Sequence, residues 1–172
     1  MKRIFSVLSI GIVLLSGCGY TLVGQGNLPA HIKTIAVPIF TNDTLEEGIE
    51  ETLTNAVVGE FLRGGKVRLV SSAQPDAILL GTIKTYKNRQ AIAYNDLNEV
   101  SGYRLTVAVD IELKDLIKDT DLWTTDGLEE FADYKGGADI GLTEEQDNER
   151  RALIEISNKL AQKIRALSTE GF

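Results

Sequence analysis

The sequence predicts an α/β fold, a two-layer sandwich in which two amphipathic helices pack on one face of a mixed four- or five-stranded sheet. Three patterns carry that prediction. Residues 103–114 alternate strictly, with Tyr103, Leu105, Val107, Val109, Ile111 and Leu113 on one side and Arg104, Thr106, Ala108, Asp110, Glu112 and Lys114 on the other. This is the period of a strand with one face on a core and one in water. Two other segments repeat apolar residues at helical spacing: Leu45, Ile49, Leu53, Ala56, Val57 and Phe61, then Leu153, Ile156, Leu160, Ile164 and Leu167. The first of these lies between two strand-like runs, which makes a β-α-β unit with parallel strands and a right-handed crossover.

The chain begins with Lys2 and Arg3, an apolar run from Ile4 to Leu15, and the small pair Ser16-Gly17 in front of Cys18, the only cysteine of 172 residues. A charged start, a short apolar run and small residues at its end make a secretory signal peptide, and the run is too short for a membrane span of roughly 20 residues. Leu15-Ser16-Gly17-Cys18 resembles the bacterial lipobox, which implies cleavage before Cys18, a diacylglyceryl group on its sulfur and an acylated new amino terminus. One acyl chain holds a protein to a bilayer only marginally, so two or three make the lasting anchor. Gly19 stands where the inner-membrane retention rule of enteric bacteria would place Asp, which implies the outer membrane. The expected organisation is a signal peptide over 1–17, a lipidated tether over 18–31 and a single domain over 32–170.

Within the domain, IKTIAVPIF (Ile32 to Phe40) reads as a strand with Pro38 near its end. Thr44 and Glu47 form a possible capping box for the first helix, which stops at Gly64-Gly65. Val67 to Val70 is the second strand and Ala77 to Ala93 a long third one; the alternating 103–113 strand and a last strand over Leu122 to Tyr134 follow. After the KGGADIG loop, Thr143 to Gln146 offers a second capping box, with acids in the first turn of a helix running to about Ser168.

Net charge limits the partners. The whole chain carries −7, and loss of residues 1–17 removes Lys2 and Arg3 and no acid, which leaves −9. Such a balance repels phosphate backbones and disfavours nucleic acid. With Cys18 acylated, no thiol remains for a disulfide, a zinc site or a nucleophile. Gly24 and Gly26 are no dinucleotide fingerprint, because Pro29 occupies the place of the third glycine. His31, the single histidine, has no recognisable acid or serine partner in a known motif and reads as a solvated or strand-edge residue in preference to a catalytic one. Glu144, Glu145, Asp147 and Glu149 read as acids that favour a helix N-terminus over a metal site. No P-loop, G-x-S-x-G, H-E-x-x-H or EF-hand loop is present. A non-enzymatic protein without metal or cofactor is therefore expected. Against the acidic background, Lys84, Lys87, Arg89 and Arg104 form a local basic group able to meet lipid phosphates, the alternative being a solubilising strand face.

CGYTLVGQGNLPAHIKTIAVPIFTNDT, the EEGIEETLTNAVVGEFLRGG helix, the SGYRLTVAVDIELKD strand and EEQDNER at the last helix together resemble the lipopolysaccharide-assembly lipoprotein family LptE. The resemblance implies a lipid-anchored outer-membrane lipoprotein of a Gram-negative bacterium. It would plug and help assemble the β-barrel partner LptD and contact lipopolysaccharide on its way to the outer leaflet. The opening IKTIAVPIFTNDT also resembles peptidoglycan-synthase regulators like LpoB and secretion-channel lipoproteins like CsgG. Cys18-Gly19-Tyr20 and the Tyr103 strand fit LptE better.

Overall fold

The computed structural model describes residues 28–71 and 74–170, so the signal segment, Cys18 and most of the tether lie outside the described residues. The elements are β1 (Thr34–Ala36), β2 (Thr41–Asn42), α1 (Ile49–Gly64), β3 (Arg68–Leu69), β4 (Ala77–Tyr94), β5 (Val100–Asp115), β6 (Thr120–Lys135) and α2 (Leu142–Glu170). The sheet runs β3-β1-β4-β5-β6, with β2 joining β4 beside β1, so it has six strands and not four or five. β1 is parallel to β3 and to β4, as the β-α-β pattern requires, whereas β4, β5 and β6 form an antiparallel meander.

The extra strand comes from a break in the expected 32–40 strand. Pro38 offers no N–H to a ladder, and pairing resumes only at Thr41, opposite Thr82 of β4. Between the two pieces, the Phe40 amide donates to Thr54 Oγ1 of α1 at 3.0 Å. The Phe40 ring lies where a Cβ on Gly81 would stand, at 2.5 Å, so only glycine fits there.

Helix α1 starts four residues later than the capping-box reading places it. The Thr44 amide and hydroxyl both donate to Asn42 Oδ1, and Asn42 Nδ2 donates to the Glu46 carbonyl, which folds residues 42–46 into a side-chain-closed turn. Leu45 is left fully exposed instead of joining the apolar stripe. The stop is as expected, with Gly65 left-handed at φ 63° and its amide on the Phe61 carbonyl. At α2 the second capping box is also absent, since Leu142 and Thr143 are already helical and the Glu145 amide donates to the Gly141 carbonyl at 3.0 Å.

Both helices cover one face of the sheet, and α2 packs on α1, β6 and β5. Leu53, Val57 and Phe61 of α1 meet Ile156, Leu160 and Ile164 of α2 over Leu79, Ile83, Leu105, Val107, Val109 and Leu113, all at most 1% exposed. Each such side chain contributes roughly 1.5–3 kcal/mol of transfer free energy. The opposite face of β5 is drier than its alternation suggests. Thr106 and Ala108 are buried at 8% and 7%, while the longer side chains of Arg104, Asp110, Glu112 and Lys114 stay half-exposed.

Candidate functional site

The four basic residues of the sequence reading divide between two faces of the sheet. Arg104 lies on the open face. Its guanidinium reaches both carboxylate oxygens of its cross-strand partner Asp133, at 2.7 and 3.0 Å, and stacks 4.0 Å over the Phe131 ring. That bidentate bond raises the Arg104 pKa and lowers that of Asp133. Lys87, opposite Thr106 on the same face, is exposed and has no ion-pair partner among the described residues. Lys84 Nζ is bound at 2.6 Å to Asp43, just past β2, and this hydrogen bond raises its pKa.

Arg89 turns to the helix side. It sits in a register shift of β4 with φ 57°, its amide donating to Asn88 Oδ1. Its Nη1 reaches Glu145 Oε1 of α2 at 2.6 Å, and its guanidinium lies 4.9 Å over the Tyr103 ring. Glu145, expected as an acid that favours the helix N-terminus, is 5% exposed, and its Oε2 accepts the Gly137 amide at 2.6 Å.

A cluster that the sequence reading missed surrounds this pair. The Tyr134 hydroxyl donates to Asn88 Oδ1 at 2.6 Å, the Tyr86 hydroxyl donates to Glu149 Oε1 at 2.8 Å, and the Tyr103 and Tyr134 rings are 5.8 Å apart. Burial first, then nearby Glu149 and Glu145, pushes the Tyr134 phenol up to about 12. Burial and the bond to Glu149 push Tyr86 further still. The one local signal was Gly136-Gly137. A Cβ on Gly136 would stand 2.5 Å from the Tyr103 ring, and Gly137 has φ 92° with its Cβ position 2.0 Å from the Val100 carbonyl oxygen. Chemically the cluster is a clamp: Arg89 is matched by Glu145, Glu149 is held by the Tyr86 hydroxyl, and the Tyr86 and Tyr134 phenols stay protonated at neutral pH, so it ties the β4–β5 hairpin to the start of α2.

His31 has the acid partner that the sequence did not reveal. Its Nε2 lies 2.6 Å from Oδ2 of Asp115, whose side chain is 1% exposed. Burial opposes the charge on Asp115, yet the amides of Lys118 and Ile117 and the His31 ring together hold its pKa below the ordinary aspartate value. The pair closes the end of the domain at which the described chain begins. Among the described residues, no three His, Cys, Asp or Glu side chains gather as a metal site. No helix there is long and apolar enough to cross a membrane.

The family described as "LptE: Lipopolysaccharide-assembly" matches residues 32–167. No curated protein sequence matches the chain. Among solved structures, a Xanthomonas campestris protein shares the fold at 11% identity and TM-score 0.52, over 83% of this chain and 88% of the other. A lipoprotein from Caulobacter crescentus does so at 13% and 0.51, over 73% and 84%. Rare lipoprotein B from Shewanella oneidensis is similar at 17% and 0.49, over 78% and 95%.

Proposed function

This chain belongs to the LptE family of lipopolysaccharide-assembly proteins, and we propose that it is an outer-membrane lipoprotein held by acyl chains on Cys18, which plugs an LptD-type β-barrel. In that position it assists assembly of the barrel and takes part in passing lipopolysaccharide to the outer leaflet, without catalysing a reaction. The observation that carries this reading is the extent of the family match, residues 32–167, which takes in every element from β1 through most of α2.

Two physical features support it. Barrel lumens of this class are polar, and the open face carries Arg104–Asp133, Lys87, Asp110 and Glu112, which suits such a lining. The paired strands are also long: β5 has 16 residues. At about 3.3 Å per residue it spans ~50 Å, comparable with a bilayer of ~40–45 Å including headgroups. Of the four basic positions, Lys87 and Arg104 share a face and suit lipid phosphates best, Lys87 because no carboxylate holds it. Lys84 would have to leave Asp43, and Arg89 would have to abandon a buried carboxylate.

Affinity purification from detergent-solubilised outer membranes tests the reading. Co-recovery of a large β-barrel protein in near-equal amount is expected. Recovery of a peptidoglycan synthase, or of a ring of this chain alone, would replace it with the regulator or channel alternative.

A further inference from the structure

Residues 116–119 form the tight turn between β5 and β6, and two of its four positions are Leu116 and Ile117, 42% and 58% exposed. Such turns ordinarily carry polar residues or glycine. Here two apolar side chains project from the end of the sheet, with exposed Lys118 beside them.

The turn is fastened to the segment by which the chain enters the domain. Buried Asp115 uses Oδ2 for His31 at 2.6 Å and Oδ1 for the amides of Ile117 and Lys118 at 2.9 and 3.0 Å. Asp76 completes the fastening: its Oδ2 accepts the Lys33 and Thr34 amides at 2.7 and 2.8 Å, and its carbonyl accepts the Leu116 amide at 2.8 Å. Two aspartates thus hold the entry segment and the turn together. Only residues 19–27 separate Cys18 from Leu28, the first described residue, which makes ten residue steps. Ten such steps reach at most ~36 Å, whereas the opposite β4–β5 turn, with Leu97 79% exposed, lies a full β5 length away, about 50 Å. An anchor at Cys18 therefore reaches a bilayer that touches Leu116 and Ile117 and falls short of one that touches only Leu97.

From this geometry we infer a second membrane contact: the Leu116–Ile117 turn rests in the interface of the phospholipid leaflet that holds the Cys18 acyl chains. Lys118, and exposed Lys33 on the entry segment, lie close enough to the turn to meet lipid phosphates while the two apolar side chains enter the headgroup boundary. The contact fixes which end of the sheet faces that leaflet and leaves the Leu97 end pointing away from it. The inference rests on the anchor reading of Cys18 and describes the anchored chain outside a barrel, whose wall would stand between the turn and the leaflet.

The test uses the full-length acylated protein with a single environment-sensitive fluorophore, attached through Ile117→Cys or, in a second preparation, Leu97→Cys. Each is bound to phosphatidylethanolamine–phosphatidylglycerol vesicles containing a bromine-labelled lipid. At position 117, quenching at least threefold stronger than at position 97 is expected. Equal quenching at the two positions, or none at 117 in protein that floats with the vesicles, overturns the contact while leaving the anchor standing. Protein that does not float at all removes the anchor reading and the contact with it.

Discussion

In the first half of β4, from Ala77 to Tyr86, alternate side chains sit beneath the helices, and Leu79 and Ile83 are fully buried. In the second half, from Lys87 to Tyr94, every residue except half-buried Asn88 is exposed, including Ile92 at 41% and Tyr94 at 59%. One strand thus lives in two environments. The first half is held by apolar packing. The second projects past the helices and is held by its ladder with β5 and by the polar clamp of Arg89, Tyr103, Tyr134 and Glu145. Two-stranded ribbons are marginal in water by themselves, so a hairpin kept in place by matched charges is suited to a partner that covers it.

Truncation should separate the halves most strongly. Ile83→Ala, in the packed half, is expected to cost about 2–5 kcal/mol through lost transfer energy and a cavity. Ile92→Ala, in the projecting half, should stay within about 0.5 kcal/mol, as exposed substitutions do. Urea unfolding of both variants checks this, and similar costs would erase the distinction. A smaller contrast tests the clamp. Arg89→Ala leaves the carboxylate of Glu145 buried with fewer partners and should cost about 1–3 kcal/mol. Arg104→Ala breaks the more exposed pair with Asp133 and should cost no more than about 1 kcal/mol. Equal effects would mean that the clamp adds nothing beyond a surface ion pair.

The same division decides how much was legible in the sequence. Where a face is buried, periodicity reports it: the alternation of 103–113 and the stripe from Leu153 to Leu167 mark β5 and α2 as they stand. The parallel β1–β3 pair was readable for a different reason, the β-α-β order of two strand-like runs around a helical one. Local polar competition was not readable from spacing. Leu45 keeps the helical period yet is exposed, because Asn42 closes a turn with Thr44 and Glu46 and delays α1. The basic group was legible as a cluster in sequence but not in space, since the register shift at Arg89 sends that side chain to the helix face while Lys87 and Arg104 keep to the other. Contacts between distant positions leave no local trace at all. Arg89 with Glu145, and His31 with Asp115, 84 residues apart, each unite two elements that only the fold brings together.

Enclosure of the projecting half by a barrel is the claim on which the functional reading stands. A photo-reactive amino acid in place of Gln90, which pairs with Arg104 in that half, and irradiation in intact cells test it most directly. The account predicts one dominant adduct, to a large outer-membrane β-barrel protein. Adducts only between copies of this chain, or none to a barrel in outer membranes that contain the protein, would contradict it.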